Sequence, residues 1–143
     1  MKEISVRSAS RFEMIDITEA IRQATREEKI ESGVVLVYTP HTTAAVTINE
    51  NADPDVPRDL LAALDRAVPL SANYRHSEGN SAAHVKSSLV GASEMVIVEN
   101  GRLVLGTWQS IFFCEFDGPR TRKVFIKLMQ ESVPDRSGSA LPS

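Results

Sequence analysis

MVIVENGRLVLGTWQSIFFCEFDGPRTRKVFIKLM, residues 95–129, decides the fold. Its β-rich runs are punctuated by turn chemistry: MVIV (95–98), RLVLG after Asn100-Gly101, TWQSIFFCEF (107–116), and RKVFIKLM (122–129) after Asp117-Gly118-Pro119. Asn-Gly suits the left-handed backbone of a two-residue hairpin turn, and Asp-Gly-Pro reverses the chain. The spacing predicts an antiparallel meander. Strand alternation places Trp108, Ser110, Phe112, Cys114 and Phe116 on one face of the third run and Thr107, Gln109, Ile111, Phe113 and Glu115 on the other. Cys114 therefore reads as part of an apolar wall, with nothing to lower its pKa, and not as a nucleophile. In the last run Phe125 and Met129 oppose Val124, Ile126 and Leu128, so both faces are partly apolar and a second cover is expected, best supplied by a homo-oligomer.

Working back from this block, Lys2–Val6 and Phe12–Ile17 alternate as strands, and Asp16-x-x-Glu19 resembles a capping box for a helix through about Lys29, stopped by Ser32-Gly33. VVLVYT (34–39) and AAVTINE (44–50) are β-branched runs joined by Pro40-His41-Thr42-Thr43. A second helix is expected at about 56–67, and a third from an Asn80 N-cap to Val90, closed by Gly91. Ala82, Val85 and Leu89 mark its expected buried stripe, with His84 opposite among Asn80, Ser81, Ser87 and Ser88. There is no internal repeat and no βαβ rhythm. The class is α+β, a mostly antiparallel sheet or sandwich with two or three helices, as a single domain over 1–130 with a flexible polar tail at 131–143.

A formal charge of −3 spread along 143 residues leaves no basic stripe for nucleic acid or an anionic membrane, and no apolar stretch is long enough to span one. A single cysteine, with Met1 followed by polar residues, fits a reducing cytoplasm.

Three places carry candidate chemistry. His41, His76 and His84 are the only histidines, and neutral imidazoles suit zinc if their loops meet, although structural histidine is the plainer reading. Glu50, Asn51, Asp53 and Asp55 lie between a strand end and a helix start, where they either hold a hard cation with a phosphorylated substrate or cap the helix. Glu78-Gly79-Asn80-Ser81 opens a helix and suits an anion, but is also ordinary turn chemistry. No G-x-S-x-G elbow is present.

HTTAAVTINENADPDV (41–56), HSEGNSAAHVKSSLVG (76–91) and GRLVLGTWQSIFFCEFDGPR (101–120) resemble the signature blocks of the YjbQ family, also called the secondary thiamine-phosphate synthase family. The resemblance covers nearly the whole chain to about Gln130. It implies an α+β homotrimer with a weak, secondary ability to make thiamine phosphate. It also implies a site drawn from His41, Glu50, Asn51, Asp53, His76, Asn80, His84 and Gln109. On this basis His41, His76, His84, Glu50 and Gln109 are the expected catalytic residues. Asn51, Asn80, Ser81 and Arg120 are expected to bind substrate. A divalent ion, zinc or magnesium, is expected on His41, His76, His84 and Asp53. The expected function is a metal-dependent enzyme acting on small phosphorylated molecules. The alternatives are a metal-assisted hydrolase and a non-catalytic trimer that binds an anion or metal. All of these expect imidazoles and carboxylates to share one hollow.

Overall fold

Two antiparallel sheets stack across a common core in the computed structural model, which describes residues 1–132. In chain order the elements are β1 (Lys2–Arg7), β2 (Glu13–Asp16), α1 (Thr18–Glu28), β3 (Gly33–Tyr38), β4 (Ala44–Glu50), α2 (Asp55–Ala67), α3 (Ser81–Val90), β5 (Ser93–Glu99), β6 (Arg102–Leu103), β7 (Gln109–Glu115) and β8 (Thr121–Gln130). The larger sheet has the order β1-β8-β3-β5-β6 and the smaller β2-β7-β4, so the fold is α+β as expected. No helix among the described residues is long and apolar enough to cross a membrane.

Side chains of alternating parity fill the space between the sheets: Val35 and Val37 from β3, Val96 and Val98 from β5, and Val124 and Ile126 from β8 face Val46, Ile111 and Phe113, and α1 closes the layer with Ile21 and Ala24. The opposite face of the smaller sheet presents Ala45, Phe112 and Cys114 to Leu61 and Leu64 of α2 and Ala83 of α3. Strand β7 is therefore buried on both sides. Burial pushes the Cys114 thiol up to about 12, consistent with a packing role. Trp108 is 62% exposed and lies outside the apolar wall to which alternation assigned it, because the strand begins only at Gln109.

The expected meander does not form. Only the β5–β6 hairpin at Asn100-Gly101 pairs in sequence order; β7 joins the smaller sheet between β2 and β4, and β8 returns to the larger one between β1 and β3. Turn chemistry set the reversals, but partner choice was decided by which faces had to be buried. Smaller corrections follow the same logic. Asp16 receives the amide and hydroxyl of Thr18 while no side chain caps α1 in box fashion, and the helix ends at Lys29 in a left-handed conformation, with Gly33 already in β3. In α3 the buried residues are Ala82, Ala83, Lys86 and Ser87, whereas Val85 and Leu89 face outward, Leu89 being 66% exposed. Glu131, assigned to the tail, is hydrogen-bonded to Ser32 through its amide and its carboxylate; residues 133–143 lie outside the described residues.

A buried ion pair joins the sheets. Glu115 at the end of β7 and Arg122 on the inner face of β8 are 0% and 2% exposed, and the guanidinium grips both carboxylate oxygens, Nε lying 2.9 Å from Oε1. Arg122 also donates to Thr43 Oγ1 at 2.8 Å; Glu115 accepts from Ser8 Oγ at 2.7 Å and from the Asp117 amide at 3.1 Å. Desolvation would raise the Glu115 pKa, but these bonds outweigh it and hold the carboxyl below its ordinary range.

Removing one partner strands the other charge, so Arg122→Ala should cost about 3–5 kcal/mol in urea unfolding. With a folded pKa below the unfolded one, the Glu115 contribution is complete above about pH 4.3 and is lost as pH falls through the folded value. The stability gap between wild type and Glu115→Gln should therefore narrow in acid. Close approach of β3 to β8 supplies another check: a Cβ at Gly33 would lie 2.0 Å from the Met129 carbonyl oxygen. Gly33→Ala should destabilise by about 1–3 kcal/mol, read as a lower urea midpoint.

Candidate functional site

Strand β4 acts as a ruler between the two groups of candidate residues. At its start Ala44 pairs with Glu115, and at its end Glu50 pairs with Gln109, seven residues that span about 20 Å. His41 precedes the start; Glu50, Asn51 and Asp53 lie at or beyond the finish. The single hollow of imidazoles and carboxylates expected above does not form within one chain.

At the Glu50 end the side chains hold one another. Asn51 Nδ2 donates to Asp16 Oδ2 at 2.8 Å, Asp53 Oδ1 accepts the Asp55 amide at 2.9 Å at the start of α2, and Gln109 Oε1 accepts the Gly106 amide at 2.8 Å. Partial burial opposes ionisation of Asp16, but bonds from Thr18 and Asn51 prevail and lower its pKa. Asp53 thus bonds the first amide of α2 from outside the helix, whose N-cap position is held by Pro54 with no side-chain cap.

The Ala44 end gathers the imidazoles. The β3–β4 loop crosses from one sheet to the other and carries His41, whose Nε2 accepts the Lys123 amide at 2.9 Å. That bond leaves the proton of the neutral ring on Nδ1. Burial, then the nearby Arg122 charge, lowers the His41 pKa, so the neutral form is favoured. His41 and His84 line one hollow of ≈ 430 Å³ with Tyr38, Pro40, Ser87 and Ser88.

Helix α3 is locked in the rotation that aims His84 there. Ser87 Oγ donates to the Ala44 carbonyl at 2.6 Å, and the buried Lys86 places Nζ 3.9 Å from the centroid of Phe12 and 3.5 Å from Asp65 Oδ1. His76, from the loop before α3, meets His84 edge to face with ring centroids 5.4 Å apart, and its Nε2 lies 3.6 Å from Glu78 Oε2. The two rings open a second hollow of ≈ 400 Å³ with Tyr74, Arg75, Ser81 and Val85.

Asn80 and Arg120 are joined by a residue that sequence reasoning missed. Asp117 Oδ2 accepts both Asn80 Nδ2 at 2.9 Å and Arg120 Nη2 at 3.1 Å. Asn80 Oδ1 is buried and accepts no hydrogen bond among the described residues.

A divalent ion fits this end only in part. Two adjacent imidazoles are borderline ligands suited to zinc, whereas a magnesium site needs oxygens, and the carboxylates expected to supply them stand at the far end of β4. Among the described residues no three His, Cys, Asp or Glu side chains are placed to hold one ion, and His41 Nε2 is already engaged. His76 and His84 are two adjacent imidazoles, fewer than a closed site requires.

A family model described as "UPF0047 protein YjbQ-like" matches residues 2–131. The chain is 58% identical over 130 residues to UPF0047 protein YugU of Bacillus subtilis, covering 90% of this chain and 98% of that one. It is 49% identical to UPF0047 protein MJ1081 of Methanocaldococcus jannaschii, covering 87% and 90%. Among solved structures, an uncharacterised YjbQ/UPF0047-family protein from Clostridium acetobutylicum superposes with a TM-score of 0.89 at 52% identity, covering 90% of this chain and all of that one. A YbjQ-like protein of unknown function from Sulfolobus solfataricus gives 0.88 at 33% identity, with 91% and 96% covered. With fold, motifs and near-complete coverage in agreement, the chain belongs to the YjbQ/UPF0047 family.

Proposed function

We propose that the histidine end is an enzyme site for a small phosphorylated substrate, completed when the chain assembles as a homotrimer. The carrying observation is the His76–His84 pair, two imidazoles in contact between two adjoining hollows, beside an unpartnered buried acceptor on Asn80. Assembly is supported by the outer face of the larger sheet, where Leu36, Met95, Ile97 and Met129 stand without a covering layer, and by the outward Val85 and Leu89. Val85 lines the same hollow as His76 and His84, so a neighbour seated on α3 would lie beside the two imidazoles and within reach of adding a further ligand.

The chemistry this favours is alkyl transfer. The C–O bond of a pyrimidine-methyl diphosphate breaks, diphosphate leaves with the electron pair, and the ring nitrogen of a thiazole phosphate gives its lone pair to the new C–N bond. A divalent ion, when bound, neutralises charge on the departing diphosphate. His76 and His84 are the residues that would hold it. Ser81 and Arg120 contribute donors for phosphate oxygens, and neutral His41 offers its Nδ1 proton. No protein nucleophile is needed, in keeping with the buried, high-pKa Cys114.

His76→Ala and His84→Ala should each lower metal content of protein purified without chelator at least tenfold, with turnover falling in parallel and the thermal midpoint unchanged. Elemental analysis and product chromatography measure both. Full turnover in the two variants defeats the assignment. Consumption of the diphosphate without the thiazole partner assigns hydrolysis instead, and tight retention without turnover assigns a binding protein.

Light scattering should give about three times the 15.7 kDa chain mass for the wild type and a single-chain mass for Ile97→Glu. An NMR titration should place the His41 midpoint below the ordinary 6.5. Its sign follows from proton counting: between the folded and unfolded values the unfolded chain holds more protons, so the His41 contribution to stability is complete above about pH 6.5 and is lost as pH falls.

A further inference from the structure

We infer that the hollow between α1 and the β5–β6 turn is a second ligand site, separate from the histidine end, that takes a compact anion bearing two or more phosphoryl groups. It measures ≈ 530 Å³ and is lined by Arg22, Thr25, Arg26, Asn100, Gly101, Arg102 and Leu103. Three arginines thus line one cavity in a chain whose formal charge is −3. Only Arg22 has an acidic partner, Glu19 at 2.8 Å; among the described residues neither Arg26 nor Arg102 has a carboxylate within ion-pair distance. Glu31 stands beside Gly101 and Glu99 pairs across the strand with Arg102, yet neither forms an ion pair with the three arginines.

The arrangement is built into rigid elements. Burial of Ile21, Ala24 and Thr25 fixes the rotation of α1, so Arg22 and Arg26, a like-charged i,i+4 pair that disfavours an isolated helix, stand together on its flank. The opposite wall is set by the hairpin. Asn100 and Gly101 both take positive φ, at 52° and 72°, and the Gly101 amide donates to the Glu31 carbonyl at 2.9 Å, tying the turn to the end of α1. The next residue, Arg102, is thereby delivered to the cavity, which Asn100 also lines.

Guanidinium forks match phosphate oxygens in bidentate geometry, and an anion relieves the mutual repulsion of the three cations. The cavity falls within the usual range for small-ligand sites and has room for a diphosphate or its ester, whose oxygens can engage more of the three guanidiniums than a single phosphate group can. It adjoins the Gly33 end of β3, whereas the histidine hollow begins at Tyr38, so about 17 Å of strand separates the two and both can be filled together.

The test is calorimetric titration of the full-length protein with inorganic diphosphate and with inorganic phosphate, using wild type, the Arg26→Gln/Arg102→Gln double variant and His84→Ala. Diphosphate should bind wild type more tightly than phosphate, lose at least tenfold affinity in the double variant, and retain that arginine-dependent event in His84→Ala. Amide NMR should show diphosphate moving the Gly101 signal in wild type and His84→Ala but not in the double variant. Circular dichroism confirms folding of each protein. Diphosphate binding that is absent, that is unchanged in the double variant, or that depends only on His84 overturns the inference.

Discussion

The Glu115–Arg122 pair is the constraint on which the geometry of the histidine end depends. An apolar layer of Val, Ile and Phe holds two sheets together but resists sliding weakly, because one branched side chain replaces another at little cost. A bidentate guanidinium–carboxylate pair at full burial does not slide: any shift of β7 against β8 strands two charges. Its remaining bonds spread that precision outward. Arg122 takes hold of Thr43, the last residue before β4, while Glu115 fixes Ser8 and the Asp117 amide. Lys123, next to Arg122, presents the amide that orients His41. Imidazole, aspartate and the Asn80–Asp117–Arg120 chain thus hang from one buried pair.

Helix α3 inverts the usual sorting of side chains, and the inversion bears on the site. Lys86 is buried because its ammonium finds Phe12 and Asp65, and Ser87 because its hydroxyl finds the Ala44 carbonyl. Turning Val85 and Leu89 inward instead would rotate His84 away from His76 and His41. The exposed apolar residues therefore follow from holding His84 in place, and they leave an adhesive surface next to the imidazoles.

Much of the local structure was legible before any coordinates. The Asn100-Gly101 hairpin, the limits of β4 and the span of α3 follow from turn and cap chemistry confined to a few residues. Strand partners were not legible, since β7 is apolar on both faces and pairing is settled by distant segments; a meander is what local rules favour in the absence of that information. The buried pair did leave a trace. Glu115 shares parity with Ile111 and Phe113, and Arg122 with Val124 and Ile126, so opposite charges stand at core-facing positions of successive strands. The residue types of the candidate site were legible as well, but not their division, although the length of β4 already separated His41 from Glu50.

That division limits what one chain can bring together. A strand cannot be folded back to bring its two ends together, so the Glu50 group and the histidines of one chain stay about 20 Å apart whatever the loops do. A site that combined a carboxylate of the first group with His76 and His84 would have to draw it from another chain, and Val85 stands in the lining of the hollow that such a chain would approach. Outward apolar residues on α3 and the contact between His84 and His76 are then two consequences of one helix rotation, the one that Ser87 and Lys86 fix.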